Sequence, residues 1–338
     1  MLYSALAHSE QVPCWLNTPV TDNVTGFIGA ASPFSSIPGG SLYASRRRAL
    51  EHLAEFYQYP LTDGDRKKVT QADVTLDNGV SVHFSAPFST VDTLYSYATL
   101  NQFADKVGQG EQMCTADACE FAQCSPSWLC DDDGAYVYGV SQMSSVPAKT
   151  LALARKNAKL VASYLVQSDV TSQSQRTLYQ SDVEKWGVSY ENNQVDAVGN
   201  VERMLHTASC RTSHYLFAQF RDPSVATYSS SEHIPFKQWF HSPGYKDKVG
   251  VIGSFDGIPA DGRFSTALNG AIKNGLIEMA KIKNIVIENE YQVSMTNGWY
   301  TFSKSDESTQ SLVSAKLMDI KVVDNSDSLV IYAWLIEN

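Results

Sequence analysis

The side chains in this sequence that could do chemistry are six cysteines, seven histidines, one run of acids and one run of arginines. The cysteines stand at Cys14, Cys114, Cys119, Cys124, Cys130 and Cys210. Four of them follow one another as Cys114-x4-Cys119-x4-Cys124-x5-Cys130. That series lacks the short paired spacing of a zinc site and has no histidine nearby, so disulfides are the expected chemistry and free buried thiols the alternative. Disulfides would place the chain in the periplasm or outside the cell. His8, His52, His83, His206, His214, His233 and His241 include no metal-binding pair at helical spacing. Asp131-Asp-Asp133-Gly134 could offer oxygen ligands to a hard cation, but no glutamate completes a calcium loop, and a solvated turn is the simpler reading. Arg46-Arg-Arg48 fall early in an expected helix, where consecutive residues spread over about 200° and make no single patch. Arg47 can pair with Glu51 one turn on, and a solvated face is expected for the run. There is no Gly-x-Ser-x-Gly elbow, phosphate loop or Gly-x-Gly-x-x-Gly. No catalytic, cofactor or metal site is expected, and the chain reads as non-enzymatic.

The elements that would position these groups are organised by a repeat. Trp15-Leu-Asn-Thr-Pro19 is followed by Gly26-Phe-Ile-Gly-Ala-Ala-Ser32; Trp239-Phe-His-Ser-Pro243 is followed by Gly250-Val-Ile-Gly-Ser254; and Trp128-Leu-Cys130 is followed by Tyr136-Val-Tyr-Gly-Val-Ser141. Trp15 precedes Gly29 by 14 positions, Trp239 precedes Gly253 by 14, and Trp128 precedes Gly139 by 11. Recurrence at this period implies three modules, with boundaries expected at 1–124, 125–225 and 226–338. A length of 338 residues accommodates three such domains. A tryptophan ahead of the first strand is expected to close the end of a core, with a stacking platform for a sugar or peptide as the alternative.

In module one, a strand over 26–32 leads to a helix capped by Ser41, with Leu42, Ala49, Leu50, Leu53 and Tyr57 on one face. Val69 to Leu76 and Val80 to Phe84 read as a hairpin about Asn78-Gly79, and residues 89–109 are ambiguous. Module two has a strand to Ser141, then a helix preceded by Ser145 with Leu151, Ala154, Ala158, Val161, Ala162 and Leu165 inward. Polar strand material follows from Ser168 to Asn192, broken at Trp186-Gly187, and a strand closes the module at His214 to Phe220. After a flexible link over 222–235, module three has a strand Val249 to Phe255. Its helix begins near Asp261 and turns Phe264, Leu268, Ala271, Ile272, Leu276 and Met279 inward. Gly270 and Gly275 inside that helix should each cost about 1 kcal/mol, either simply tolerated or marking close packing on a sheet or another chain. A second Asn-Gly hairpin about Asn297-Gly298 and strands at Ala315 to Val323 and Leu329 to Ile336 complete the chain. The expected fold class is α+β, three tandem modules each with one helix packed on an antiparallel sheet.

Phe121-Ala-Gln-Cys124, Phe217-Ala-Gln-Phe220 and Tyr332-Ala-Trp-Leu335 read as equivalent closing strands. Aligning them makes Cys114 equivalent to Cys210. The pairing this suggests is Cys114 with Cys119, Cys130 with Cys210, and Cys14 with Cys124, one of 15 possibilities.

Net charge is −10, which argues against nucleic acid as a partner. No apolar run is long enough to span a membrane. The start, Met1 to His8, lacks the basic region of a secretion signal, and the cysteines lead to the expectation that a signal has been removed.

Pro126-Ser-Trp128, Tyr136-Val-Tyr-Gly-Val-Ser141 and the Ala-rich helix after them resemble the LPP20 lipoprotein family of bacterial envelope proteins, with modules one and three similar in outline. That family includes lipoproteins associated with the outer-membrane rings and basal disk of polar flagella. Val12-Pro13-Cys14 lacks the small residues of a lipobox, so lipid anchoring is not expected here. The resemblance implies a periplasmic or surface location in a Gram-negative cell. It also implies a structural or assembly role with protein partners in the envelope, self-association included, and carries no catalytic residues. The alternative is a periplasmic or secreted protein that binds a glycan or small ligand in a cleft between modules.

Overall fold

The computed structural model describes residues 10–21, 23–104, 112–121, 123–130, 136–143, 146–181, 184–222, 234–294, 300–325 and 328–338. The expected acidic turn Asp131 to Gly134, the cap Ser145, most of the expected link and the Asn297-Gly298 turn lie outside the described residues, as do His8 and His233. The chain divides into two units, one of Met1–Lys159, Val201–Ser229 and Arg263–Ser265, the other of Leu160–Asn200, Ser230–Gly262 and Thr266–Asn338.

The first unit opens with β1 (Gln11–Pro13), the turn of helix α1 (Cys14–Asn17), β2 (Val20–Thr21) and β3 (Val24–Ala31). Helix α2 (Gly40–Tyr57) buries Ala49, Leu50 and Leu53, the face set by their spacing. Its N-cap is Gly39 in the left-handed region, with Ser41 already inside the first turn, so the expected Ser41 cap is corrected. A short helix α3 (Asp63–Lys68) ends just before Val69, and the strand expected from Val69 begins only at Asp73, after a turn over 69–72. Thr62 and Asp65 form a reciprocal capping box there. The expected hairpin is therefore shorter, β4 (Asp73–Thr75) and β5 (Ser81–Phe84), followed by β6 (Phe88–Ser89) and β7 (Leu94–Leu100). Strand β7 lies in the ambiguous region and is central, paired with β3, β5 and β6.

On β3 the side chains alternate between two cores. Phe27 joins Leu50, Leu53, Val82 and Phe84 under α2, while Ile28 and Ala30 join Trp15, Leu16, Tyr95 and Tyr97 on the other face. Strand β8 (Met113–Thr115) pairs with β1. Phe121 and Cys124 lie in a turn, not in a closing strand; the strand partner of β3 is β7, which brings Ser96 opposite Gly29.

Strand β9 (Tyr136–Gln142) is followed by helix α4 (Thr150–Val166), whose buried residues include Ala154, Ala158, Val161, Ala162 and Leu165. The chain then makes β10 (Ser168–Ser181) and β11 (Lys185–Ala197) of the second unit and returns as β12 (Leu205–Arg211) and β13 (Tyr215–Arg221). Trp186-Gly187 is inside β11, so the expected break there is corrected: the strands part three residues earlier, where the chain reverses. Strands β12, β13 and β9 form one antiparallel sheet.

The rest of the second unit begins with α5 (Phe236–His241), β14 (Gly250–Asp256) and α6 (Phe264–Lys283), which buries Leu268, Ala271, Ile272, Leu276 and Met279. Strands β15 (Val286–Ser294), β16 (Tyr300–Val313), β17 (Ala315–Asn325) and β18 (Ser328–Glu337) follow. They form two sheets, β14-β18-β17 and β11-β10-β16-β15. The fold is α+β, with several antiparallel sheets and helices packed on β3, β9 and β14.

One contact recurs at those three strands. A Cβ on Gly29 would lie 2.0 Å from the Ser45 carbonyl oxygen, on Gly139 2.0 Å from that of Ala154, and on Gly253 1.9 Å from that of Ala271. The residue across the sheet is small each time: Ser96, Ala218 and Ala333. Helix backbone thus rests directly on strand backbone. Gly275 takes part, its amide nitrogen 2.4 Å from where a Gly253 Cβ would be, so this helix glycine serves close packing on the sheet. Gly253→Ala is expected to destabilise the chain by about 3 kcal/mol in urea unfolding, because neither backbone can move aside. Gly64→Ala, where the nearest atoms are 3.4 Å away, should stay within about 1 kcal/mol of the parent.

Candidate functional site

Each repeated tryptophan sits on a short helical turn and stacks on an aromatic ring of a strand. Trp15 in α1 stacks on Tyr97 at 5.1 Å, Trp128 on Tyr138 at 6.3 Å, and Trp239 in α5 on Trp334 at 5.7 Å. Trp239 is fully buried and donates its Nε1 hydrogen to Asp319 at 3.0 Å. Trp15 is nearly so, whereas Trp128 is half-buried. Each ring stacks on a strand of its own sheet.

The cysteines form Cys14–Cys114, Cys119–Cys210 and Cys124–Cys130. All three expected pairings are thereby corrected. The β1–β8 ladder aligns Val12 with Cys114 and brings Cys14 beside β8, and a bridge between Ala118 and Arg211 sets Cys119 beside Cys210. Neither contact is visible in local spacing. The third pair was accessible, since Ser125-Pro126-Ser127 is turn chemistry between two cysteines six apart. Three disulfides fit an oxidising, extracytoplasmic compartment.

Of the three arginines, Arg47 pairs with Glu51 at 3.4 Å and Arg48 bonds the Ala30 carbonyl. Arg46 corrects the expected solvated face: it is buried, and its Nη1 donates to the carbonyls of Val69, Thr70 and Gln71 at 3.3, 3.1 and 2.9 Å. It satisfies the orphan acceptors where α3 ends.

A polar cluster that sequence reading missed lies among α2, α4 and β12. Arg155 is buried and bonds Glu55 at 3.2 Å; Lys159 bonds the other carboxylate oxygen. Burial raises the Glu55 pKa, but Lys159 and Arg155 together outweigh it and hold the carboxyl below its usual range. His52 donates from Nδ1 to the Ile28 carbonyl at 2.9 Å, and His206 from Nε2 to that of Ala208 at 3.0 Å. Burial, reinforced by Arg155, lowers His52 to about 4 and His206 to about 3. The two rings and Arg155 share a gap of about 10 Å³, room for one water at most. No substrate fits there, so the cluster locks neutral imidazoles beside a buried ion pair. The signal for it in sequence would have been Arg155 on the apolar face of α4, flanked by Ala154 and Ala158.

A larger cleft of about 540 Å³ is lined by the Cys14–Cys114 disulfide, Trp15, Tyr97, Asn17, Thr115 and Asp117, among others. Asn17 donates to the Thr115 carbonyl at 2.7 Å, and burial raises the Asp117 pKa. Among the described residues no group of three His, Cys, Asp or Glu could hold a metal ion, and no helix is long and apolar enough to cross a membrane.

The sheet β11-β10-β16-β15 is largely exposed along β11 and the described part of β15. Its two long strands are paired over 14 residues without a bulge, roughly 46 Å of ladder. The register puts Tyr179, Trp186, Val188, Tyr190 and Phe302 on one face near the hairpin ends, with Tyr179 stacked on Trp186 at 5.4 Å. Towards the base that face is Asp169, Thr171, Gln173, Asn192 and Gln194. On the opposite face only the base is covered: Val170, Ser172, Val195, Thr309 and Val313 are buried, and the Thr309 hydroxyl reaches the Ala280 carbonyl at the end of α6. Among the described residues β11 and β15 pair on one side only.

Compared with known proteins, the chain matches no family model, no curated protein and no solved structure.

Replacing the Cys119–Cys210 pair by serine should cost about 4–5 kcal/mol, since it closes a 91-residue loop. The Cys124–Cys130 pair, closing 6, should cost about 2 kcal/mol, both read as urea midpoints under oxidising conditions. The histidines bind protons more weakly folded than unfolded, so their stabilisation is present above pH 6.5 and is lost as pH falls towards 4 for His52 and 3 for His206. Between pH 7 and 4.5, His206→Asn should remove roughly 2 kcal/mol of the loss in unfolding free energy.

Proposed function

We propose that this chain is a non-enzymatic structural component of a bacterial cell-envelope complex, of the flagellum-associated kind that the LPP20 lipoproteins represent. The observation that carries this reading is the long four-stranded sheet whose outer strands pair on one side only among the described residues. Proteins that act alone normally blunt such edges with proline, lysine, bulges or short strands. None of its four strands contains proline, and the only lysine in either edge strand is Lys185, at the tip of β11. An edge left this open belongs to a surface that is covered in use.

Three features support the reading. The disulfides suit the periplasm or cell surface. The three strand–helix pairs with the same glycine contact are consistent with tandem modules of one design, and repeated units with separate cores and repeated outer surfaces suit scaffolding. The reactive groups that could have supported catalysis are engaged in structure: the cysteines in disulfides, His52 and His206 on backbone carbonyls.

A second reading has one observation in its favour. The cleft beside Cys14–Cys114 has the volume of a small-ligand site and combines aromatic with amide, hydroxyl and carboxyl groups, which suits a glycan.

Fractionation of cells that make the protein separates the two readings. In the first, the chain is found outside the cytoplasm in a high-mass, detergent-resistant particle. Release as a free monomer by osmotic shock overturns it, and a thermal shift of that monomer with oligosaccharides would then support the second.

A further inference from the structure

We propose that the first unit carries a binding site for a small zwitterion, an α-amino acid of about the size of alanine, in a pocket lined from α1, β3, β7, the start of α4 and β12. All the residues that line it belong to that unit, and none of them lines the cleft beside Cys14–Cys114. The site is independent of the scaffold reading.

Strand register builds its polar wall. His206 pairs with Phe220, Ser209 with Ala218 and Arg211 with Leu216. Residues directly opposite share a face of a sheet, as do residues two apart on one strand. The bulge between His206 and Ala208 therefore puts His206, Ser209 and Arg211 on one face, where strict alternation would have turned His206 away from the other two. These three line the pocket together with Ile28 and Tyr95, which share the second core of the unit, and Leu151 of α4, which packs on it.

Charge decides the ligand. Arg211 donates from Nη2 to the Tyr95 hydroxyl at 3.1 Å, and among the described residues it has no acidic partner. Its guanidinium keeps further donors for a carboxylate. Asp92 lines the exposed end of the same pocket; it accepts from the Thr90 hydroxyl at 2.8 Å and likewise forms no ion pair among the described residues. Two opposite charges thus line one pocket without pairing with each other. A simple carboxylate would meet Asp92 as a like charge, and a simple amine would meet Arg211. A zwitterion satisfies both. Thr150 supplies an independent sign: it lines the pocket, is 5% exposed, and its hydroxyl has no hydrogen-bond partner. Buried hydroxyls are normally bonded, and a ligand carboxylate is the acceptor this one lacks.

Space limits the side chain. The pocket holds about 40 Å³, roughly three times what one water needs, and opens beside Asp92. Its inner end is Ile28, Leu151 and the neutral ring of His206, which also bound the gap at Arg155. That end suits a methyl group, with the charged groups towards the mouth.

The test is isothermal titration calorimetry on the full chain with its disulfides intact. L-Alanine should bind roughly tenfold or more tightly than propionate, which lacks the ammonium, and than ethylamine, which lacks the carboxylate. L-Phenylalanine should be rejected. Asp92→Asn should weaken alanine and leave propionate no weaker, whereas Arg211→Gln and Thr150→Val should weaken both. Asp92 is in an exposed turn, so its variant remains a valid test where Arg211→Gln does not fold. Propionate or ethylamine binding as tightly as alanine overturns the zwitterion assignment. Phenylalanine binding equally overturns the size limit and with it the pocket. Alanine binding that is unchanged by Asp92→Asn, or no binding of alanine at millimolar concentration, overturns the site.

Discussion

The fold depends on how closely three helices can approach three strands. At Gly29, Gly139 and Gly253 there is no room for one carbon atom between strand and helix backbone. Each helix is therefore fixed in position along its strand by a steric stop rather than by side-chain shape alone. The small residues opposite, Ser96, Ala218 and Ala333, keep the neighbouring strand from filling the same space. In α6 the helix contributes a glycine of its own, and the helix propensity lost at Gly275 is offset by the contact it permits.

Within the first unit this packing is reinforced by links that join distant parts of the chain. Arg155 on α4 and Glu55 on α2 form an ion pair whose arginine is buried, and removing Glu55 would leave that buried charge without compensation. His52 and His206 stay neutral beside it because a third positive charge there would be both desolvated and repelled. The disulfides Cys14–Cys114 and Cys119–Cys210 close loops of 100 and 91 residues, so they constrain the unfolded chain far more than the local Cys124–Cys130 loop does. These polar and covalent devices hold structure, and one of them, Cys14–Cys114, also lines the larger cleft.

The second unit shows a different economy. Its sheet β14-β18-β17 is covered by α6, while the sheet β11-β10-β16-β15 buries side chains only at its base. Beyond that base the ladder is held by its own hydrogen bonds and cross-strand pairs.

Local features were legible in the sequence. The inward faces of α2, α4 and α6 follow from apolar residues at helical spacing, and the Trp-to-Gly phrase marks the three strands that accept helices. The even number of cysteines, without zinc-site spacing, points to disulfides. What tertiary structure decided was every relation between residues far apart in the chain. Cys14 meets Cys114 because β1 pairs with β8; β7, unremarkable in sequence, takes the place expected for Phe121 to Cys124; and Arg46 is buried because α3 ends beneath it. The sheet β11-β10-β16-β15 exists only because β10 pairs with β16, more than a hundred residues away. Periodicity records which side of an element faces inward, since that is a property of neighbours in the chain. Which elements then meet depends on register and direction in space, which no local pattern encodes.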